Sequence, residues 1–252
     1  MYKRQTWSRV VQHRFAGPGD LAGHSVGNLL IVALWELAAD NPVDGLDWVG
    51  RLLKSSGRVL PMTTVPLEIE ANVEQPDGST ATVHGQVAVA TAPGRIVDVA
   101  LIPPEPPACP EAVVAIEEAD WVVLGPGSWF TSVIPHLLVP ELAAAIRRTT
   151  ARRMVVLNLE PQRGETAGFA PESYLQVLER HAPGLGIDVV LADPSSVSDL
   201  DALQKAAAQL GAEVRLAPVR EPSGLPRHDP DALAVALRPL VTAPQTRQNG
   251  AR

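Results

Sequence analysis

The chain has 252 residues, a net charge of −7, 46% hydrophobic residues, 19% charged residues and one cysteine, Cys109. This composition excludes a disordered or fibrous chain and an internal disulfide, and the acidic balance argues against nonspecific binding to nucleic acid or anionic membranes. No apolar run approaches the ~18 residues of a membrane span and no signal-peptide core follows the first residues, so we expect a cytoplasmic protein.

The beginning of the chain changes character twice. Residues 6–20 are polar and glycine-rich without a helical or strand period, which predicts a loop. Residues 26–37 are apolar at nearly every position, which predicts a helix that is buried on all sides. A second helix is predicted over 46–54.

A different period follows, in which apolar and polar residues alternate. It covers 67–73 and 81–89, with a shorter run at 96–101. These segments predict a small antiparallel sheet, inserted at about 65–102. Five prolines within 103–110 predict a stiff linker back to the main body.

After the linker, short apolar segments alternate with longer helical ones. Strands are predicted at 121–124, 154–159, 188–192 and 213–217, and helices at 142–148, 171–181, 200–210 and 229–241. Such alternation implies right-handed βαβ crossovers and a mostly parallel sheet flanked by helices, so the predicted fold class is α/β. We expect one domain over 1–241 and a disordered polar tail at 242–252.

Ligands of an open parallel sheet bind beyond the carboxyl ends of its strands, and the first such loop is suited to an anion. It contains Gly125, Gly127, Ser128, Thr131 and Ser132. The glycines allow close backbone approach, and the hydroxyl groups lie beside a predicted helix start, which favours phosphate. The same segment is equally compatible with a plain strand-to-helix turn whose serine or threonine caps the helix.

Polar residues in three other places are candidates for the same crevice. Asn158 follows the second predicted strand, where an amide can pair with a nucleobase edge. Asn28 lies near the start of the first apolar helix, and Arg227 precedes the last helix, where it can contact a phosphate in bidentate fashion. Each asparagine is also compatible with a capping or turn role. Glu165 and Thr166 form too weak a pair to be nominated as acid and base.

Five separated motifs occur in the order and approximate spacing of one protein family. They are Gly23-His24-Ser25-Val26-Gly27-Asn28-Leu29-Leu30, Leu60-Pro61-Met62-Thr63, Ala119-Asp120-Trp121-Val122-Val123-Leu124-Gly125-Pro126-Gly127-Ser128 with Thr131-Ser132-Val133-Ile134-Pro135, Gly164-Glu165-Thr166, and Arg227-His228-Asp229. On these motifs the chain resembles the YvcK-like gluconeogenesis factors, which share a superfamily with the 2-phospho-L-lactate transferases (CofD) of coenzyme biosynthesis. The resemblance covers residues 10–241, and none of the motifs is a generic nucleotide-binding pattern.

The resemblance implies a Rossmann-like α/β protein that binds a nucleotide sugar of the UDP-N-acetylglucosamine type. In YvcK-like proteins this goes with control of carbon metabolism and of cell shape or cell-wall growth, with no established reaction. It implies that the glycine-serine loop holds phosphate, the asparagines line the nucleotide crevice and the arginine closes on the ligand. The residues so implied are Asn28, Gly125, Gly127, Ser128, Thr131, Ser132, Asn158, Thr166, Phe169 and Arg227. Phe169 stands where relatives often have a tyrosine, which leaves ring stacking as its contact.

The chain departs from the family at its start. Family members begin with a β-strand, a Gly-rich loop and a paired-Asp segment that serve the phosphate and metal end of the site, and none of these is found here. We therefore expect an N-terminally incomplete member. A divalent metal such as Mg²⁺ is expected only in relatives that keep those aspartates. The family also suggests a homodimer, and neither nucleic acid nor a membrane is an expected partner.

Three interpretations stay open on the sequence alone. The first is a nucleotide-sugar-binding regulatory protein, probed best with UDP-N-acetylglucosamine. The second is an enzyme that transfers a phospholactyl group from a GDP carrier to a deazaflavin, and the third is a fragment that folds poorly. The Gly-Pro-Gly-Ser loop matches the regulatory branch more closely, and the antiparallel insert shows no obvious flavin pocket. No catalytic residue is assigned, and catalysis is left open.

Overall fold

The structure, a computed structural model, describes residues 2–38, 41–75, 77–162 and 164–242. The chain divides into two compact units. The first comprises Met1–Pro66 and Pro107–Ala112, and the second comprises Leu67–Pro106 and Val113–Arg252. The predicted disordered tail over 242–252 is wrong at its first residue, because Thr242 ends the last helix, and residues 243–252 lie outside the described residues.

The described part of the first unit contains α1 (Tyr2–Gln12), α2 (Val26–Leu37) and α3 (Pro42–Leu53). The predicted loop over 6–20 is wrong at its start, because residues 6–12 belong to α1. Helix α1 packs against α2 so closely that a Cβ atom on Gly27 would lie 2.9 Å from the carbonyl oxygen of Val11. Tertiary packing of this kind stabilises a helix whose own sequence is a weak helix signal.

Helix α2 has the predicted bounds, but the prediction that it is buried on all sides is wrong. None of its residues is buried in the described structure, and Leu37 is 81% exposed. Its contact with α3 is close on one face, where a Cβ atom on Gly45 would lie 2.2 Å from the ring of Trp35. The apolar composition of α2 therefore predicts a helix correctly and its burial incorrectly.

Helix α3 begins earlier than predicted because of its cap. The Asn41 side-chain oxygen accepts a hydrogen bond from the Val43 N–H at 3.0 Å, which satisfies one of the free donors of the first turn. Pro42 occupies the first helical position, where its missing N–H costs nothing.

The second unit contains an antiparallel sheet of β1 (Glu68–Glu74), β2 (Thr80–His84) and β3 (Arg95–Ile102), in the order β2-β1-β3. The predicted antiparallel insert is therefore confirmed. Strand β1 alternates as expected, with every second side chain buried from Ile69 to Val73. The predicted strand over 81–89 is wrong in its second half, because Gly85 has a φ of +88° and leads into the short helix α4 (Gln86–Ala90).

The rest of the second unit is an α/β layer structure, as predicted. Its parallel sheet contains β4 (Trp121–Leu124), β5 (Arg152–Val156), β6 (Val189–Ala192) and β7 (Glu213–Leu216), in that order across the sheet. The helices along the chain are α5 (Pro110–Glu117), α6 (Ile134–Leu138), α7 (Pro140–Arg148), α8 (Pro171–His181), α9 (Leu200–Gln209) and α10 (Pro230–Thr242). A π-helical turn, Trp129–Val133, leads into α6. Helix α5 takes the last residue of the predicted proline linker and is missing from the sequence-based prediction.

The centre of the parallel sheet forms the best-buried core. Met154 of β5 and Leu191 of β6 are almost fully buried, and partly buried side chains of α10 pack against them. The predicted strand over 154–159 ends earlier, at Val156. Asn158 therefore lies in the loop beyond the carboxyl end of β5, where the strand-end rule places ligand contacts.

No single helix among the described residues is long and apolar enough to cross a membrane. The pair Trp129–Leu138 and Pro140–Arg148 passes the same test together, by length and composition only, and is bent by 79° at its junction.

The Arg153 side chain caps the carboxyl end of α7. Its guanidinium donates to the carbonyls of Ile146 at 2.8 Å, Arg147 at 3.1 Å and Thr149 at 3.3 Å. Replacing Arg153 by alanine leaves these helix-end acceptors to solvent alone, so we expect the free energy of unfolding to fall by about 1–3 kcal/mol in urea denaturation. The exposed Arg147→Ala is the matched control, with an expected loss of about 0.5 kcal/mol or less. Equal losses in the two variants would contradict the assignment.

Candidate functional site

The loops that follow β4 and β5 are joined by one amide side chain. The Asn158 side-chain oxygen accepts from the Gly127 N–H at 2.9 Å, and its Nδ2 donates to the Gly127 carbonyl at 2.7 Å. The two residues thus form a closed pair across neighbouring strand ends. The prediction that Asn158 and the glycine-serine loop share one edge of the sheet is confirmed in its geometry.

Gly125 allows this loop to begin where it does. Its φ is +78°, and a Cβ atom there would lie 2.8 Å from the carbonyl oxygen of Val156 on the neighbouring strand. Only glycine satisfies both conditions without strain. The loop therefore leaves β4 in contact with the end of β5.

A buried carboxylate from the β5 loop holds the hydroxyl-rich part of the β4 loop. The Ser128 hydroxyl donates to the carboxylate of Glu165, at 2.7 Å to Oε1 and 2.6 Å to Oε2. The Thr131 N–H donates to Oε1 at 2.9 Å, and the hydroxyls of Ser128 and Thr131 also contact each other. Glu165 is only 3% exposed. Two donors of the loop that was expected to hold phosphate, the Ser128 hydroxyl and the Thr131 N–H, are therefore engaged by Glu165.

Thr166 is buried next to this network, and Phe169 is half-buried beside it. The fully buried Thr166 hydroxyl accepts from the Gln162 N–H at 2.8 Å and lies 3.2 Å from the Tyr174 hydroxyl. Burial raises the pKa of the Tyr174 phenol, which keeps it protonated. The Phe169 ring packs edge-to-face on Phe130 and Tyr174, with centroids 6.1 Å and 5.3 Å apart. These protein rings supply the stacking that was expected of a ligand.

A cavity of about 590 Å³ opens beside the Gly127–Asn158 pair. Its polar lining comes from Gly127, Asn158, Glu160, Gln162, Arg227 and His228, and prolines supply much of the rest. Arg227 is exposed, and its guanidinium forms no hydrogen bond or ion pair with the described residues. Burial lowers the pKa of the His228 imidazole, which keeps that ring uncharged at neutral pH. The cavity therefore combines backbone polar groups, amides and one uncommitted cation.

Arg220 fixes one wall of this cavity. Its guanidinium donates to Glu160 at 2.8 Å, to the Leu159 carbonyl at 3.1 Å and to the Ser195 hydroxyl at 3.2 Å. These acceptors belong to the loops after β5 and β6, whereas Arg220 belongs to the loop after β7. One side chain thus cross-links three strand ends.

Asp193, directly after β6, holds the loop after β7 next to the loop after β6. Its carboxylate accepts from the backbone N–H groups of Val219 at 2.7 Å and Arg220 at 2.8 Å, and from both the N–H and the hydroxyl of Ser195. Burial acts to raise the pKa of this carboxyl, but the hydrogen bonds to its charged form outweigh burial and the pKa is lowered. Asp193 and Arg220 did not appear among the predicted site residues, although Asp193 directly follows one predicted strand and Arg220 lies in the loop after another.

Eight of the ten predicted ligand residues lie close together in the second unit. Gly125, Gly127, Ser128, Thr131, Asn158, Thr166, Phe169 and Arg227 lie in or beside the strand-end network and its cavity. Ser132 lines a different cavity of about 280 Å³, next to β4 and with His136. Asn28 belongs to the first unit, where it lines a cavity of about 450 Å³ and its N–H donates to the capping Ser25.

The described residues contain no group of three or more His, Cys, Asp and Glu side chains placed to hold a metal ion.

A family model described as 2-phospho-L-lactate transferase CofD matches residues 1–222. The chain belongs to this family.

The sequence relatives match over nearly the whole chain. The gluconeogenesis factor of Listeria innocua is 35% identical over 243 residues, which cover 92% of this chain and 74% of that protein. A relative from Mycobacterium tuberculosis, whose name also contains the words gluconeogenesis factor, is 52% identical over 237 residues, covering 92% of this chain and 69% of that protein. The predicted membership is therefore confirmed.

A solved structure supports the fold independently. The crystal structure of a UPF0052-family protein from Bacillus halodurans superposes with a TM-score of 0.79 at 28% identity, covering 93% of this chain and 77% of that one. The predicted α/β class of this CofD-family chain is confirmed by that similarity together with the parallel sheet.

Proposed function

We propose that the protein binds a nucleotide sugar of the UDP-N-acetylglucosamine type and acts as a regulator in carbon metabolism and in the control of cell shape. The names of its relatives support a role in gluconeogenesis. The resemblance of its motifs to the YvcK-like branch supports the nucleotide sugar. The proposal assigns no catalytic reaction.

The observation that carries the proposal is the cavity beyond β4 and β5, with the free guanidinium of Arg227 at its edge. Small-molecule sites in proteins typically enclose ~300–1,000 Å³, and this cavity of about 590 Å³ falls within that range. A diphosphate is the anion that an uncommitted arginine recognises well, through two parallel charge-assisted hydrogen bonds.

The remaining polar groups of the cavity suit an uncharged part of the same ligand. Gln162 is exposed at the rim, and its carboxamide offers one acceptor and two donor positions. That pattern complements a uracil edge or the hydroxyl groups of a sugar. The uncharged imidazole of His228 adds no positive charge, so among the described lining residues the positive charge comes from Arg227.

Calorimetric titration with two ligands tests the proposal. We expect UDP-N-acetylglucosamine to bind with a saturable 1:1 isotherm and GDP to bind at least about tenfold more weakly, which is a difference of roughly 1.4 kcal/mol. Binding of GDP together with a deazaflavin, and none of the UDP-sugar, would overturn the proposal and favour the phospholactyl transferase alternative.

A further inference from the structure

Two donors of the loop that was expected to hold phosphate contact a side chain of the protein itself. Glu165 accepts hydrogen bonds from the Ser128 hydroxyl and the Thr131 N–H, and it is 3% exposed. Within the described residues it forms no ion pair with a lysine, arginine or histidine. Its negative charge is therefore stabilised by these donors.

We propose that Glu165 is a positioning residue: a built-in carboxylate that holds the glycine-serine loop in its ligand-binding shape and occupies the donors that a phosphate would otherwise take. The second part rests on the proposed function, because it concerns where the phosphates of a nucleotide sugar go. They are directed to the Arg227 side of the cavity.

The hydrogen bonds leave little room for a second anion at the same donors. Ser128 has one hydroxyl proton, and it points at the Glu165 carboxylate. The Thr131 N–H is used by the same carboxylate. A phosphate placed there would meet unavailable donors and an adjacent buried negative charge, and like charges at such distances in a protein interior repel strongly.

Glu165 also connects the loop to the wall of the cavity. The next residue, Thr166, forms a closed turn with Gln162: the Thr166 N–H donates to the Gln162 carbonyl at 3.0 Å, and the Gln162 N–H donates to the Thr166 hydroxyl at 2.8 Å. Gln162 lines the cavity, and so does Gly127 on the opposite loop. Anchoring Glu165 on Ser128 therefore sets the distance between two parts of the cavity lining.

Chemical rescue of Glu165→Ala tests this role. The variant removes the carboxylate and leaves a space of the size of a small carboxylic acid next to unpaired donors. We expect sodium formate to raise the urea midpoint of Glu165→Ala, and sodium chloride at equal ionic strength to leave it unchanged. The wild-type protein and the control Glu118→Ala, which removes an exposed glutamate, are expected to show no formate-specific rise. Absence of a formate-specific rise in Glu165→Ala would overturn the proposal.

Ligand titration separates positioning from a general loss of structure. We expect Glu165→Ala to bind UDP-N-acetylglucosamine at least tenfold more weakly than wild type, formate to restore most of that loss, and Glu165→Gln, which keeps one acceptor oxygen, to stay within about threefold of wild type. If formate instead competes with the ligand, the phosphates use the Glu165 position and the proposal is wrong. If Glu165→Ala does not fold in buffer, its refolding yield from urea is compared in formate and in chloride. A higher yield in formate supports the proposal, and equal yields overturn it. Failure of the wild type to bind the UDP-sugar would count against the proposed function alone, because the rescue of stability needs no ligand.

Discussion

Replacing Asp193 by alanine is expected to lower the free energy of unfolding by about 3–5 kcal/mol. Asp193 is 5% exposed, and its carboxylate is the acceptor for the N–H groups of Val219 and Arg220 and for Ser195. Alanine leaves these donors without an acceptor in a buried place and frees the loop that carries Arg220. Urea denaturation measures the loss.

Asp199→Ala is the matched control for this change. Asp199 caps α9 by accepting from the Ala202 N–H at 2.9 Å, and it does so at an exposed site. Loss of such a cap typically costs ~1 kcal/mol. If Asp193→Ala loses no more stability than Asp199→Ala, then the Asp193 network does not hold the strand ends together.

The same network predicts how stability depends on pH. The folded-state pKa of Asp193 lies below its ordinary value of 3.8. The stabilisation from this carboxylate is therefore fully present above that ordinary value and is lost as the pH falls through the lowered folded-state pKa. Asp193→Asn removes the titrating group, so the stability of that variant should vary less with pH below the ordinary value than the stability of the wild type.

Replacing Arg227 by alanine is expected to weaken the binding of UDP-N-acetylglucosamine by about 10- to 100-fold, the equivalent of roughly 1.4–2.8 kcal/mol. The guanidinium lies at the edge of the cavity and forms no hydrogen bond or ion pair within the described residues, so we expect its removal to take away a ligand contact and to leave the fold unchanged. Arg227→Lys should recover part of the affinity, since an ammonium group keeps the charge without the bidentate geometry.

Calorimetry on Arg227→Ala is paired with Arg238→Ala, which removes an exposed arginine of α10 away from the cavity lining. We expect Arg238→Ala to bind the ligand as the wild type does and both variants to keep the wild-type urea midpoint. An unchanged affinity in Arg227→Ala would remove this residue from the site.

Much of the fold can be predicted from periodicity, because the pattern of burial is simple in the parallel sheet. Strand β6 is buried at every residue and reads as an unbroken apolar run, and helix α8 has the predicted bounds Pro171–His181. Both elements contribute fully buried side chains to the interior of the second unit. Sequence periodicity reports such a core directly.

The failures have identifiable physical causes. Helix α1 depends on its close packing with α2, at Gly27, which no local pattern shows. The apolar run of α2 suggested burial, yet burial depends on what surrounds a helix. The strand β2 stops where Gly85 takes a positive φ, although the apolar alternation continues past it.

In the candidate site, too, one contact follows from the sequence and another does not. That Asn158 and Gly127 would meet follows from the rule that parallel strands end at one edge of a sheet. The role of Glu165 is a contact between residues far apart in sequence, and within its own motif it is only a glutamate beside a threonine. Glu165 stands in the family motif Gly-Glu-Thr, but the sequence assigns it no role and its partner Ser128 was expected to contact the ligand.

A crystal structure with bound UDP-N-acetylglucosamine tests the proposed binding mode directly. We expect ligand density in the cavity between Gly127 and Arg227, with the diphosphate on the arginine and with Glu165 still bonded to Ser128. Ligand phosphates bonded to Ser128 and Thr131, with Glu165 displaced, or a nucleotide sugar bound outside this cavity, would contradict it.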